Sequence, residues 1–187
     1  MDYKKHNFQI EEITNSKTIA SSNNFQIELV EKIGKNDLAD LIETSKSLVD
    51  VFGEESIITE RNINKYFNDK TLPFIARYNN NIIGYMIGVP LEHFKDESWA
   101  HFDKNLLKKN TLYTYAFVFK KTYRGRKGYA KTLKRIYLSW AKRTGYKYIT
   151  GHVKKGISEN FKNTETVKTF RIWYQSNSPF NYYRRKL

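Results

Sequence analysis

The sequence predicts one α/β (α+β) domain whose elements follow the order β, α, α, β, β, (α), β, α, β, α, β. Three observations lead there. Residues 111–145 pass from an aromatic, β-branched strand (112–119) through a basic, glycine-punctuated loop (120–128) into an amphipathic helix. Another strand follows at 146–153, and a strand–helix–strand unit sets its two strands parallel. Residues 72–78 and 82–89 are apolar β runs around Asn79, Asn80 and Asn81, and asparagine's tolerance of positive φ makes that a hairpin. Finally, 187 residues without an internal repeat or low-complexity linker suit one domain with a substantial core.

Residues 1–24 are polar and aperiodic, which reads as a flexible or loosely packed arm ahead of a domain over 25–187. Residues 25–31 alternate as a strand ended by Gly34. Asn36 or Asp37 then caps a helix with Leu38, Leu41, Ile42, Ser45, Leu48, Val49 and Phe52 on one face, closed by Gly53. A second helix starts at Thr59 and carries Ile63, Tyr66 and Phe67. Beyond the hairpin, Pro90 stops the strand. Residues 91–110 form a long polar connection with a helix expected at about 98–108, bearing Trp99, Phe102, Leu106 and Leu107. The helix after the glycine loop places Ala130, Leu133, Ile136, Tyr137, Trp140 and Ala141 at helical spacing and ends at Gly145. After the strand at 146–153 and a loop at 154–163, residues 164–174 read as a helix with Val167, Phe170 and Trp173 or Tyr174 inward. Residues 176–179 break it, and 180–187 form a terminal strand.

Cysteine is absent, which excludes disulfides, thiolate metal sites and a cysteine nucleophile, and agrees with a reducing compartment. No apolar run nears membrane-spanning length, and residues 1–20 lack the hydrophobic centre of a signal peptide. A cytoplasmic protein without a membrane partner is therefore expected. His6, His93, His101 and His152 show no metal-ligand spacing, so no metal is expected. The charge is split along the chain. Residues 1–119 hold 14 Lys and Arg against 17 Asp and Glu; residues 120–187 hold 19 against 2. Basicity thus begins at the glycine loop and implies an anionic ligand or macromolecule. A helix opening on glycine adds unpaired first-turn amides and a favourable dipole, so a phosphate is expected at Gly128. The dinucleotide fingerprint and the P-loop pattern are both unmatched.

The stretch Tyr123-Arg-Gly-Arg-Lys-Gly-Tyr-Ala-Lys-Thr-Leu133, set in this element order, resembles the GNAT superfamily of acyl-CoA-dependent N-acyltransferases over residues 25–187. It is similar to that family's Arg/Gln-x-x-Gly-x-Gly/Ala pyrophosphate loop. With Gly128 and Ala130 at the two small positions, Gly125 takes the Arg/Gln position; with Arg124 there, the loop is one residue longer. The resemblance implies a single domain with a central mixed, mostly antiparallel sheet of about six to seven strands. Helices lie on both faces, and the fourth and fifth strands (112–119 and 146–153) splay into a V. It also implies an N-acetyltransferase that moves an acetyl group from acetyl-CoA, its co-substrate, to a primary amine by direct attack. In that reading Phe117, Val118 and Phe119 offer backbone amides to the thioester and pantetheine, and the loop Arg124, Gly125, Arg126, Lys127, Gly128, Tyr129 and Ala130 holds the pyrophosphate.

Residues 173–180 resemble the family's Leu-Tyr-x-x-x-Gly-Phe, which implies that Tyr174 is the general acid for the departing thiolate. Pro179 stands where the family has glycine, and Val167 where it has asparagine. Where some relatives carry a glutamate base, this chain has Tyr113 or Thr114. Glu92, Glu97, His101 and Asp103 are the candidates for that role, and His101 alone titrates near neutral pH. The acceptor, a small molecule or a protein, is expected between residues 51–63 and 91–110, on a monomer or homodimer.

A second function class stays open. CoA carries about four negative charges, fewer than the excess on residues 120–187 would require. Lys120, Lys121, Lys131, Lys134, Arg135, Lys142, Arg143, Lys147, Lys154 and Lys155, with Tyr146 and Tyr148 among them, could meet RNA or an acidic protein. The alternative is a basic nucleic-acid-binding or ribosome-associated module on a GNAT-like fold with weak or no transferase activity, although no sequence-reading motif accompanies it.

Overall fold

The computed structural model describes residues 11–125 and 127–187. Its strands are β1 (Asn15–Ser22), β2 (Phe25–Lys32), β3 (Leu72–Tyr78), β4 (Asn81–Pro90), β5 (Thr111–Phe119), β6 (Tyr148–Lys154), β7 (Thr164–Phe170) and β8 (Phe180–Lys186). They form one sheet in the order β1-β2-β3-β4-β5-β6-β8-β7. Every neighbouring pair is antiparallel except β5 and β6, which run parallel as expected of a strand–helix–strand unit.

Helices cover both faces. α1 (Lys35–Ser45), α2 (Val49–Phe52) and α3 (Ile63–Tyr66) lie on one, where Leu38, Leu41 and Ile63 pack against Ile75, Ile87 and Val118. α4 (Tyr129–Arg143) covers the other, with Leu133, Tyr137 and Ala141 against Phe74, Met86, Leu112 and Ile149. A third, aromatic cluster of Trp99, Tyr113, Trp173, Phe180 and Tyr182 fills the end of the sheet beside β8. No helix among the described residues is long and apolar enough to cross a membrane.

The six expected strands appear within two residues of their predicted bounds; β1 and β7 are additional. The arm expected over residues 1–24 therefore contains a strand, while residues 1–10 lie outside the described residues. β1 is an edge strand, exposed along one face, so its sequence shows little apolar alternation. Only Ile19 joins the core beneath, and Asn23, at φ +50°, turns the chain into β2.

The expected helix at 164–174 is instead β7. Its half-buried residues Thr164, Val167 and Phe170 are spaced by three, which imitates a helical period. The spacing comes from a bulge: Thr166 pairs with Tyr183 and Lys168 with Tyr182, leaving Val167 as an inserted residue. The helix expected at 98–108 is likewise a 3-10 turn, Ser98–Phe102, followed by turns. Asp103 Oδ1 accepts the Asn105 amide at 2.9 Å, and Leu107 and Lys109 take positive φ. Both features stop helix propagation. The first helix breaks at Lys46–Leu48 into α1 and α2, and the second shortens to the single turn of α3.

Candidate functional site

β5 and β6 pair only through Thr111, Leu112 and Tyr113 against Tyr148, Ile149 and Thr150. β6 then continues along β8 to Lys154, and β5 along β4 to Phe119. The sheet thus parts after Tyr113, giving the expected V and leaving the β5 edge from Thr114 onward without a strand partner on the β6 side. A bulge adds to this. Ile87 pairs with Ala116 and Gly88 with Thr114, so Tyr115 has no partner in β4 at the point where β6 leaves. Phe117, Val118 and Phe119 form the outer end of this edge. Val118 and Phe119 are buried in opposite cores, and Phe117 is 40% exposed. Beside α2 a groove is lined by Val51, Gly53, Lys154 at the end of β6, and Ser176.

Beyond β5 the loop turns sharply. Gly125 and Gly128 have φ of +72° and +69°, and Lys127 has +44°. Gly128 is the N-cap of α4 in left-handed conformation, and no side chain caps the helix. The first intrahelical bond runs from the Thr132 amide to the Gly128 carbonyl, so the amides before Thr132 have no partner inside the helix. Beyond its chain neighbours, a Cβ on Gly125 or Gly128 would meet no described atom within 4 Å, so the loop is open to solvent on the side these glycines present. Open volume, unpaired donors, the dipole and basic neighbours together fit a pyrophosphate.

Arg124 turns away from this space. Its Nε donates to the Phe119 carbonyl at 3.0 Å and a terminal nitrogen to the Ser47 carbonyl at 3.3 Å, so it ties the loop to β5 and the end of the first helical segment. Lys127 is exposed, with Nζ 5.8 Å from the Tyr78 ring. Tyr129 is buried and stacks on Phe25, and Ala130 is half-buried. Arg126 lies outside the described residues.

Tyr174 sits in the loop between β7 and β8 rather than on a helix, at φ +50° and 64% exposed. Partial burial, the Tyr115 hydroxyl and Glu97 raise its pKa above the ordinary tyrosine value. Tyr115 projects from the bulge and stacks on Tyr66 with ring centroids 3.8 Å apart. Beneath them a cavity of about 20 Å³ is lined by Glu55, Asn62, Tyr66, Tyr85 and Tyr115. The Tyr85 hydroxyl is buried there with no hydrogen-bond partner.

His101 is exposed on its 3-10 turn. Asp103 is committed elsewhere: it is buried, pairs with Arg184 at 2.5 Å and accepts from the Tyr182 hydroxyl at 3.0 Å. Glu92 accepts the Lys109 amide at 2.7 Å. His152, which sequence reasoning passed over, lies inside the aromatic cluster. It stacks on Trp173 at 3.4 Å between centroids, its Nδ1 is 2.9 Å from the Tyr113 hydroxyl, and burial lowers its pKa to about 2. Tyr66, Tyr85 and Tyr115 were missed as site residues because a bulge redirects Tyr115, whereas strict alternation would have sent it to the opposite face.

A sheet parted beside a glycine-capped helix defines the N-acetyltransferase fold. The model of the Acetyltransferase (GNAT) family matches residues 37–160, and the chain belongs to that family. Among solved structures it is similar to the ribosomal-protein-S18-alanine N-acetyltransferase from Escherichia coli, with 10% identity, TM-score 0.61, and 87% of this chain and 93% of that one covered. An acetyltransferase from Streptococcus agalactiae superposes with TM-score 0.60 at 15% identity, covering 89% and 100%. A GNAT family acetyltransferase from Elizabethkingia anophelis with acetyl-CoA bound gives TM-score 0.55 at 15% identity, also covering 89% and 100%. No curated protein matches the sequence.

Proposed function

We propose that the chain is an acetyl-CoA-dependent N-acetyltransferase acting on a primary amine. The observation that carries this reading is the parting of β5 from β6 directly ahead of the uncapped, glycine-led α4. The β5 edge at Phe117, Val118 and Phe119 binds the pantetheine and thioester through backbone groups. The amides from Lys127 to Ala130, with Arg126, hold the pyrophosphate, while Gly125 gives the loop its turn. The amine attacks the thioester carbonyl directly; an N–C bond forms, the C–S bond breaks, the nitrogen loses a proton and the thiolate gains one. Unpaired β5 amides are suited to the charge that develops on the carbonyl oxygen. Tyr174, kept protonated by its raised pKa, supplies the thiolate's proton. His101 stands exposed on its 3-10 turn, and the base role passes to water in the tyrosine-lined mouth.

Thermal denaturation with acetyl-CoA tests the reading. Saturating ligand at about 100 times its Kd should add about 2.7 kcal/mol of stability and raise the Tm by several degrees. An unchanged Tm at millimolar acetyl-CoA overturns it.

A further inference from the structure

The sheet beyond α4 is left open on the α4 side. Between β6 and β7 the chain runs as a loop with a single 3-10 turn, Ser158–Asn160, so no helix among the described residues covers the sheet beside α4. A groove results, with α4 as its wall and β8 and β7 as its floor. Tyr183 belongs to the core under α4. Arg185, two residues further along β8, therefore faces the same way, as do its partners Ile149 in β6 and Thr164 in β7. From the wall, Lys134 places its Nζ 3.8 Å from the centroid of the Phe161 ring, which packs edge-on against Tyr183 at 5.4 Å. Two cations thus flank one aromatic pair.

Neither cation has an acid. Lys134 and Arg185 form no ion pair among the described residues. Glu165 pairs with Arg184 on the opposite face of β8, and Glu159 accepts from the Asn181 side-chain amide. Burial and the Arg185 charge together lower the pKa of Lys134. The Arg185 Nε is buried without a hydrogen-bond partner, although the residue as a whole stays partly exposed. A charged donor left unpaired at the floor of an open groove is a place for an anion.

The charge continues along α4. Lys131, Arg135, Lys142 and Arg143 are exposed, the helix holds no acid, and Lys131 to Lys142 spans about 16 Å at 1.5 Å per residue. That row is longer than one pyrophosphate. No exposed large apolar residue lies on α4, β7 or β8, whereas a protein partner would need an apolar centre to its interface. Interfaces with nucleic acids are instead polar and strongly basic. A duplex is too broad to reach the buried Arg185 donor; a single strand can lay a phosphate there.

We propose that the groove between α4 and the β8–β7 floor binds the phosphate backbone of a single-stranded nucleic acid, one phosphate resting between Lys134 and Arg185. This site lies more than one helical turn beyond the α4 amides that the transferase reading assigns to CoA, and it does not depend on that reading. Phosphate contacts carry no base information, so RNA and DNA should bind alike.

Fluorescence anisotropy with a labelled 20-nucleotide RNA of mixed sequence is the test. At 50 mM KCl its Kd should lie below about 100 µM, and four phosphate contacts should weaken it about 50-fold by 200 mM. Single-stranded DNA of the same sequence should bind within about threefold, and its duplex about tenfold more weakly. Lys134→Gln combined with Arg185→Gln should weaken RNA about tenfold and leave the acetyl-CoA Kd within about twofold. Lys17→Gln combined with Lys104→Gln, an equal loss of charge elsewhere, should leave RNA within about twofold. If the first variant does not fold, the wild-type chain decides: RNA should protect Lys134, and not Lys17, from an amine-reactive reagent. Absence of RNA binding, equal weakening by the two variants, or a duplex that binds as well as the single strand overturns the proposal. So does a parallel loss of acetyl-CoA affinity, which would give Lys134 and Arg185 to the cofactor.

Discussion

Tyr174 occupies a tight turn after β7, where the Trp173 carbonyl accepts the Ser176 amide at 3.1 Å. The local motif singled out this residue, and its expected helical setting differs from the turn observed because the bulge at Val167 imitates a helical period. Its hydroxyl is held protonated through neutral pH, which suits a proton donor and would not suit a base. Tyr174→Phe should lower kcat about 100-fold while leaving the acetyl-CoA Kd within about twofold, as steady-state kinetics and calorimetric titration would show. An unchanged kcat removes Tyr174 from the acid role. His152 makes a different, structural prediction. It is folded as a neutral ring with a pKa of about 2, against about 6.5 when unfolded. The unfolded chain therefore binds the extra proton below pH 6.5, and stability present above that value is lost as pH falls toward 2. Each pH unit in that window costs up to about 1.4 kcal/mol. Urea titrations at pH 7.5, 6 and 5 should show the decline, and His152→Phe should flatten the slope whatever it does to the overall stability.

At the level of elements, α4 and its loop were legible because their determinants are local: an apolar stripe at helical spacing, glycines at both ends, and no competing contact. The β3–β4 hairpin was legible for the same reason, with Asn79 and Asn80 at positive φ. β1 and β7 were not, because edge strands display mostly polar residues and, in β7, a bulge breaks the alternation. The glycine loop and α4 were consequently visible in the sequence, and the Tyr66–Tyr115 contact, which is made by a bulge, was not. α4 itself offers an internal control. Gly128 and Gly145 flank it, both at positive φ and both with open space where a Cβ would go. Alanine at either should cost about 1–2 kcal/mol through backbone strain. Gly128→Ala should in addition weaken CoA about tenfold, since its methyl group enters the space before the helix amides, whereas Gly145→Ala should leave CoA affinity alone. Equal CoA affinities for the two variants would separate the helix N-terminus from the cofactor.

Across the whole molecule, the charge is divided along the chain, with the basic excess carried by residues 120–187. The two acids among residues 120–187 are both engaged, Glu165 with Arg184 and Glu159 with the Asn181 side-chain amide, and Asp40 and Asp50 pair with Lys120 and Lys121, so the remaining cations that face solvent around α4 repel one another. Lys134 records this: burial and Arg185 both lower its pKa. A field of this kind has two consequences of opposite sign. Salt screens the self-repulsion, so raising KCl from about 20 to 300 mM, which shortens the Debye length to under about 8 Å, should raise the Tm of the free protein by about 2–4 °C. On the proposed reading, in which α4 receives the phosphates, the same screening should weaken acetyl-CoA several-fold in Kd. Chloride is the anion to use, because sulfate and phosphate would strengthen apolar burial and obscure the electrostatic effect. If Tm and Kd both proved indifferent to KCl, the basic half would be a solvated surface with neither a folding cost nor a role in holding the cofactor. A Tm that rose while Kd stayed constant would keep the repulsion and assign cofactor binding to the uncharged amides of the glycine loop alone.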